Sequence, residues 1–96
     1  MRRAEALAIL DAHRTDLEPF GVKSLAIFGS VARNEAGPDS DVDILVEFNR
    51  PIGMFGFLDF KEYLESILGQ TVDLVMRDAV KPRLRDRILA EAVHAA

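Results

Sequence analysis

In Ser40-Asp41-Val42-Asp43-Ile44-Leu45-Val46, two aspartates stand at the head of an apolar run. Residues two apart on a strand share a face, so Asp41 and Asp43 project together while Val42 and Ile44 turn the other way. Aspartate is disfavoured in strands, and neighbouring carboxylates repel one another. Nothing in the folding of a small core asks for this arrangement. A divalent cation explains it, because Mg²⁺ takes hard oxygen ligands, commonly one or two carboxylates together with substrate phosphates.

Upstream, the short apolar run Ser24-Leu25-Ala26-Ile27-Phe28 stops at Gly29-Ser30, which suits a buried strand entering a sharp turn. Glycine lets the backbone turn tightly and a ligand approach closely. The serine hydroxyl and the N–H groups that open the next short helix can hold phosphate oxygens. Alone, Gly-Ser is only a turn. Ten residues separate Ser30 from Asp41, however, giving the pattern Gly-Ser-x10-Asp-x-Asp. Four fixed residues at ordinary usage match by chance in roughly one chain of this length per thousand. Downstream, Thr71-Val72-Asp73-Leu74-Val75 sets a third carboxylate inside another apolar strand. If that strand lies beside the second, Asp73 converges on the same spot.

The remaining elements frame these three strands. Ala6, Leu7, Ile9, Leu10, His13 and Leu17 recur at helical steps, which predicts an amphipathic helix over about the first 17 residues, ended by Pro19 and Gly21. Val31 to Asn34 can form about one helical turn before the turn formers Gly37-Pro38-Asp39-Ser40. Val42 to Phe48 reads as the second strand. A helix over Met54–Leu68, closed by Gly69, joins it to the third strand, Thr71 to Met76. Leu84, Ile88, Leu89, Ala92 and Val93 predict a final helix with Pro82 near its start. The order is α-β-α-β-α-β-α: one α/β (α+β) domain over residues 1–96, with a mixed three-stranded sheet covered by helices. The long middle helix implies a right-handed parallel crossover, and the short first link an antiparallel pair.

Composition narrows the function. The chain has 96 residues, 49% of them hydrophobic and 29% charged, which is ordinary for one globular domain. It contains no cysteine, so disulfides and zinc–thiolate sites are out. A net charge of −4 argues against general nucleic-acid binding. Arg77, Lys81, Arg83, Arg85 and Arg87 nevertheless outweigh Asp78 and Asp86, a local +3 that reads as a solvated helix face or a partner surface. No apolar run approaches the ~20 residues of a membrane span, and the first residues lead into a helix containing Asp11. A cytoplasmic location is the resulting expectation.

Gly29-Ser30, Asp41-Val42-Asp43 and Asp73 resemble the signature of the polymerase-β-like nucleotidyltransferase superfamily. The small size, with Leu68-Gly69-Gln70-Thr71-Val72-Asp73-Leu74-Val75 followed by a helix from Pro82, is similar to its minimal nucleotidyltransferase (MNT) subfamily. The resemblance spans nearly the whole chain. It implies the superfamily's fold and transfer of AMP from ATP to a protein hydroxyl. The acceptor it implies is a tyrosine of a HEPN ribonuclease toxin, with this chain as antitoxin and the two able to assemble together. It implies two Mg²⁺ ions (Mn²⁺ can substitute), with Asp41 and Asp43 bridging both. Asp73 would hold mainly the ion beneath the attacking hydroxyl and take its proton. Gly29 and Ser30 would cradle the β- and γ-phosphates, and Arg33 would either add charge there or form a surface salt bridge.

Two rival readings stay open. The same fold could hold ATP or a toxin surface without turnover, neutralising its partner by occlusion. It could also be a subunit that modifies a small molecule of the aminoglycoside kind, although 96 residues leave little room to enclose one. His13 and His94, both placed on helix faces, lack metal-ligand spacing. Phe55, Phe57 and Phe60 read most simply as core, with Ile52-Gly53-Met54-Phe55-Gly56 as an alternative partner-facing patch. Tyr63 reads as a packing residue.

Overall fold

The computed structural model describes residues 1–95. Helix α1 (Arg3–Ala12) leads through a 3₁₀ segment (Arg14–Phe20) into strand β1 (Val22–Phe28). The short helix α2 (Gly29–Ala32), strand β2 (Val42–Phe48), helix α3 (Met54–Leu68) and strand β3 (Val72–Met76) follow. A 3₁₀ turn (Arg77–Ala79), helix α4 (Pro82–Glu91) and strand β4 (Val93–His94) complete the fold. The sheet order is β3-β2-β1-β4. β1 is antiparallel to β2, and β2 is parallel to β3 across the α3 crossover, as the connection lengths predict.

Period-2 alternation builds one sheet face. Leu25 and Ile27, Val42, Ile44 and Val46, and Val72 and Leu74 are buried against Ala6 and Leu10 of α1, Leu17, Val31 and the α3 stripe Phe60, Leu64 and Leu68. Each fully buried side chain of this kind contributes roughly 1.5–3 kcal/mol. Phe60 also packs against Phe20 and Phe48, with ring centroids 5.1 and 5.8 Å away. Tyr63 stacks on Phe20 and donates its hydroxyl to Asp16 at 3.1 Å. α3 stops where expected: Gly69 takes the left-handed conformation (φ 68°), and its N–H reaches the Glu65 carbonyl at 2.9 Å.

Four expectations need correction. The first helix breaks at His13 instead of running to residue 17. Pro19 lacks the N–H that an α-helix needs, and the tighter 3₁₀ turn still buries Leu17. The sheet has four strands, not three, because the last helix ends at Glu91. Ala92 turns extended (φ −67°, ψ 136°), and Val93–His94 pairs with Ala26 and Ile27. His94 therefore lies on a strand, where it covers the open edge of β1. Phe55 is not core: its side chain is 85% exposed at the first turn of α3, beside exposed Met54. No residue of α4 is buried. It lies over the second sheet face, where Leu89 and Ala92 share a cavity with Ala26 and Leu45. Among the described residues, no helix is long and apolar enough to cross a membrane.

Candidate functional site: three carboxylates around a glycine turn

Strand register assembles the site. Asp43 is the second residue of β2 and pairs with Phe28, the last residue of β1, on one side. On the other side it pairs with Asp73, the second residue of β3. Buried neighbours hold both aspartates in place: Val42 and Ile44 around Asp43, Val72 and Leu74 around Asp73. Asp41 lies one residue before β2 and is exposed. The start of this region is tied down by the Val42 N–H to the Thr71 carbonyl, and by the Val72 N–H to Glu65 Oε2, both 2.9 Å.

Gly29 follows Phe28 and opens α2 with φ +70°. A Cβ built on it would lie 2.0 Å from Asp43 Oδ2 and 3.0 Å from Asp43 Cγ. Only glycine meets both demands, the left-handed backbone and the close approach of the carboxylate. Gly29→Ala is therefore expected to destabilise the fold by about 1–2 kcal/mol through its backbone alone, and to swing Asp43 off its position. A thermal melt unchanged from the native protein would show that this turn carries no such constraint.

The electrostatics are one-sided. Burial pushes the half-buried Asp43 carboxyl up to about 6, and the charges of Asp73 and then Asp41 push in the same direction, opposed by Arg33. The Arg33 guanidinium is already engaged, by Glu35 Oε2 at 3.0 Å and Glu91 Oε2 at 2.9 Å. Both hydrogen bonds hold the guanidinium in its charged form. Of the two expectations for Arg33, the salt bridge is the one the structure displays.

Ser30 is half-buried one residue beyond Gly29, and its carbonyl accepts the Glu35 N–H at 2.8 Å. All six sequence-derived positions thus belong to one end of the sheet or to the turn beside it. Sequence reasoning missed Glu91, whose Oε1 accepts the Gly29 N–H at 3.0 Å across 62 residues. No local signal marks it, since it closes a helix notable in sequence for its basic residues.

The donor set fits a hard divalent cation, being carboxylate oxygen throughout. Among the described residues, no three His, Cys, Asp or Glu groups stand close enough to hold a metal by themselves. In Mg²⁺ chemistry, substrate phosphates complete a shell begun by one or two carboxylates. Asp41 also borders a cavity of about 250 Å³ formed with Pro38, Asp39, Ser40, Gly69, Gln70 and Thr71. The site lies along one end of the sheet, where β2 starts beside β3 and β1 ends.

Residues 10–94 match the nucleotidyltransferase domain family. The chain is 45% identical over 91 residues to the protein adenylyltransferase MntA of Thermococcus cleftensis, covering 94% of this chain and 92% of that protein. It is similar to a solved minimal nucleotidyltransferase with a TM-score of 0.83 and 36% identity, over 97% of this chain and 95% of the other. It also shares its fold with an MNT antitoxin solved in complex with the tri-AMPylated HEPN toxin of Shewanella oneidensis. That match has a TM-score of 0.67 and 17% identity, over 94% of this chain and 71% of the other.

Proposed function

Because this chain belongs to the nucleotidyltransferase domain family, and within it to the minimal nucleotidyltransferases, we propose that it moves AMP from ATP to a hydroxyl of a partner protein. The partner is a HEPN-type toxin, the acceptor a tyrosine, and the chain its antitoxin. The observation that carries the reading is the position of Asp43, with Asp73 beside it in parallel register and Gly29 packed against its carboxylate. The name of the Thermococcus relative, a protein adenylyltransferase, supports AMP as the group moved. The fold shared with the HEPN-bound antitoxin supports the partner class.

Asp41 and Asp43 would hold Mg²⁺ together with the triphosphate, and Asp73 would complete the set on the side of the incoming hydroxyl. When bound, the metal supplies charge to the α-phosphate and to the departing pyrophosphate. The Gly29–Ser30 segment orients the β- and γ-phosphates through its N–H and hydroxyl donors. Asp73 accepts the proton as the acceptor oxygen bonds to the α-phosphorus and the bond to pyrophosphate breaks. Arg33, whose charge acts on the Asp43 carboxyl, would add positive charge beside the phosphates.

The reading is tested by incubating the protein with ATP, Mg²⁺ and a HEPN-type partner, followed by intact mass of both chains. The expected product is a partner heavier by one or more AMP units. An unmodified partner that still binds, together with bound ATP, would favour occlusion without chemistry. Metal and nucleotide should also bind together, because triphosphate and carboxylates repel without a cation between them. Removing Mg²⁺ with a chelator is expected to weaken ATP binding by about tenfold or more, read by calorimetry. Equal affinity with and without chelator would refute the metal-assisted site.

A further inference from the structure

Glu91 is the last residue of α4, and both of its carboxylate oxygens are committed to the segment that follows β1. Oε1 accepts the Gly29 N–H at 3.0 Å, and Oε2 accepts Arg33 Nη1 at 2.9 Å. These are two of the donors that the proposed reaction needs for the triphosphate. A carboxylate and a phosphate oxygen ask for the same thing, an N–H donor and a positive neighbour. One backbone N–H cannot serve both in good geometry, and two anions at one place repel.

The contact also ties down an element with little else to hold it. None of the α4 residues is buried, and only the two-residue strand β4 follows it into the sheet. The bond from Glu91 to Gly29 spans 62 residues and joins the C-terminal end of α4 directly to the glycine turn. Elements with few buried contacts are the first to open when one anchor is lost.

We propose that Glu91 is an internal competitor for the triphosphate: nucleotide takes over the Gly29 N–H and the Arg33 guanidinium, displaces Glu91 and loosens α4. The inference rests on the nucleotide reading given above. It makes the basic surface of Arg83, Arg85 and Arg87 report on nucleotide occupancy, because those residues ride on the helix that Glu91 restrains.

Glu91→Gln is the informative substitution, since it keeps shape and size and removes the charge. Binding of α,β-methylene-ATP with Mg²⁺ is measured by calorimetry, and hydrogen exchange is followed across Pro82–Glu91. The variant is expected to bind the analogue about fivefold more tightly, equivalent to roughly 1 kcal/mol. In the native protein the analogue should speed exchange in α4. In the variant that exchange should be fast before any nucleotide is added. Equal or weaker affinity in Glu91→Gln overturns the inference, as does α4 exchange in the native protein that nucleotide leaves unchanged. A native protein that binds no analogue at all removes the nucleotide reading itself, and this inference with it.

Discussion

Asp43→Asn is expected to abolish AMP transfer while raising the melting temperature of the metal-free protein. The two effects have one cause. Asp43 is held half-buried between Gly29 and Asp73, and its carboxyl is raised to about 6 by burial and by the neighbouring aspartates. A folded pKa above the unfolded value means that the folded chain binds more protons between the two. Stability associated with this group is therefore present at low pH and is lost as pH rises through about 6. Near pH 7 the native carboxylate is a liability of on the order of 1 kcal/mol, after discounting for the solvent that still reaches it.

Asparagine removes that liability and with it the charge that a cation needs. For a domain of this size, 1 kcal/mol corresponds to roughly 4–8 °C. The gain should appear near pH 7 and vanish near pH 4, where the native carboxyl is also neutral. Transfer should fall by ~10³-fold or more, about 4 kcal/mol of transition-state stabilisation. Mg²⁺ should no longer shift the melting curve. Melts at the two pH values, paired with intact-mass assays of the partner, check the whole set. A variant that melts lower at both would mean that Asp43 serves the fold and not a cation.

The second large effect belongs to Asp73 and separates catalysis from occlusion. Asp73 is exposed on β3, with its buried neighbours Val72 and Leu74 pointing into the core, so Asp73→Asn should leave stability within about 0.5 kcal/mol. In the proposed site, Asp41 and Asp43 would remain to hold the metal that accompanies the triphosphate. ATP affinity should then change only a few-fold. The variant would lack the negative charge proposed above to complete the metal set under the acceptor and to take its proton. Turnover should fall by at least ~10²-fold, about 2.7 kcal/mol. A module that works by occlusion would neutralise its partner equally well with either residue. ATP titration and AMP transfer measured on the same preparation decide the matter, and undiminished transfer would end the role given to Asp73.

Met54 and Phe55 stand exposed at the start of α3, and α4 presents its basic residues with no buried face of its own. The exposure of Phe55 reverses the simplest sequence reading, in which apolar residues at helical spacing belong inside, whereas the exposed basic residues of α4 agree with a solvated helix face. The stripe Phe60, Leu64 and Leu68 obeys that reading because α3 lies on the sheet there. Its first turn runs past the core, so the same kind of side chain one or two turns earlier meets solvent.

The alternation of Val42, Ile44 and Val46, the crossover length of α3, and the pairs Gly29-Ser30 and Asp41-x-Asp43 were all legible in the chain itself. Each is local: backbone period sets which face a side chain takes, and glycine or aspartate in an apolar strand announces itself by breaking the pattern. That Asp43 and Asp73 stand side by side depended on register, which the sequence permitted but did not decide; the pairing of β2 with β3 decided it. The fourth strand, the split of the first helix and the bond from Glu91 to Gly29 were decided by tertiary structure alone. Val93 follows a helix at helical spacing, yet its backbone completes the open edge of β1. Glu91 looks like one more surface charge until the chain folds back and brings it to a turn 62 residues away. Periodicity carries information over one or two turns of chain, whereas a partner supplied from the far end exists only once the sheet has formed.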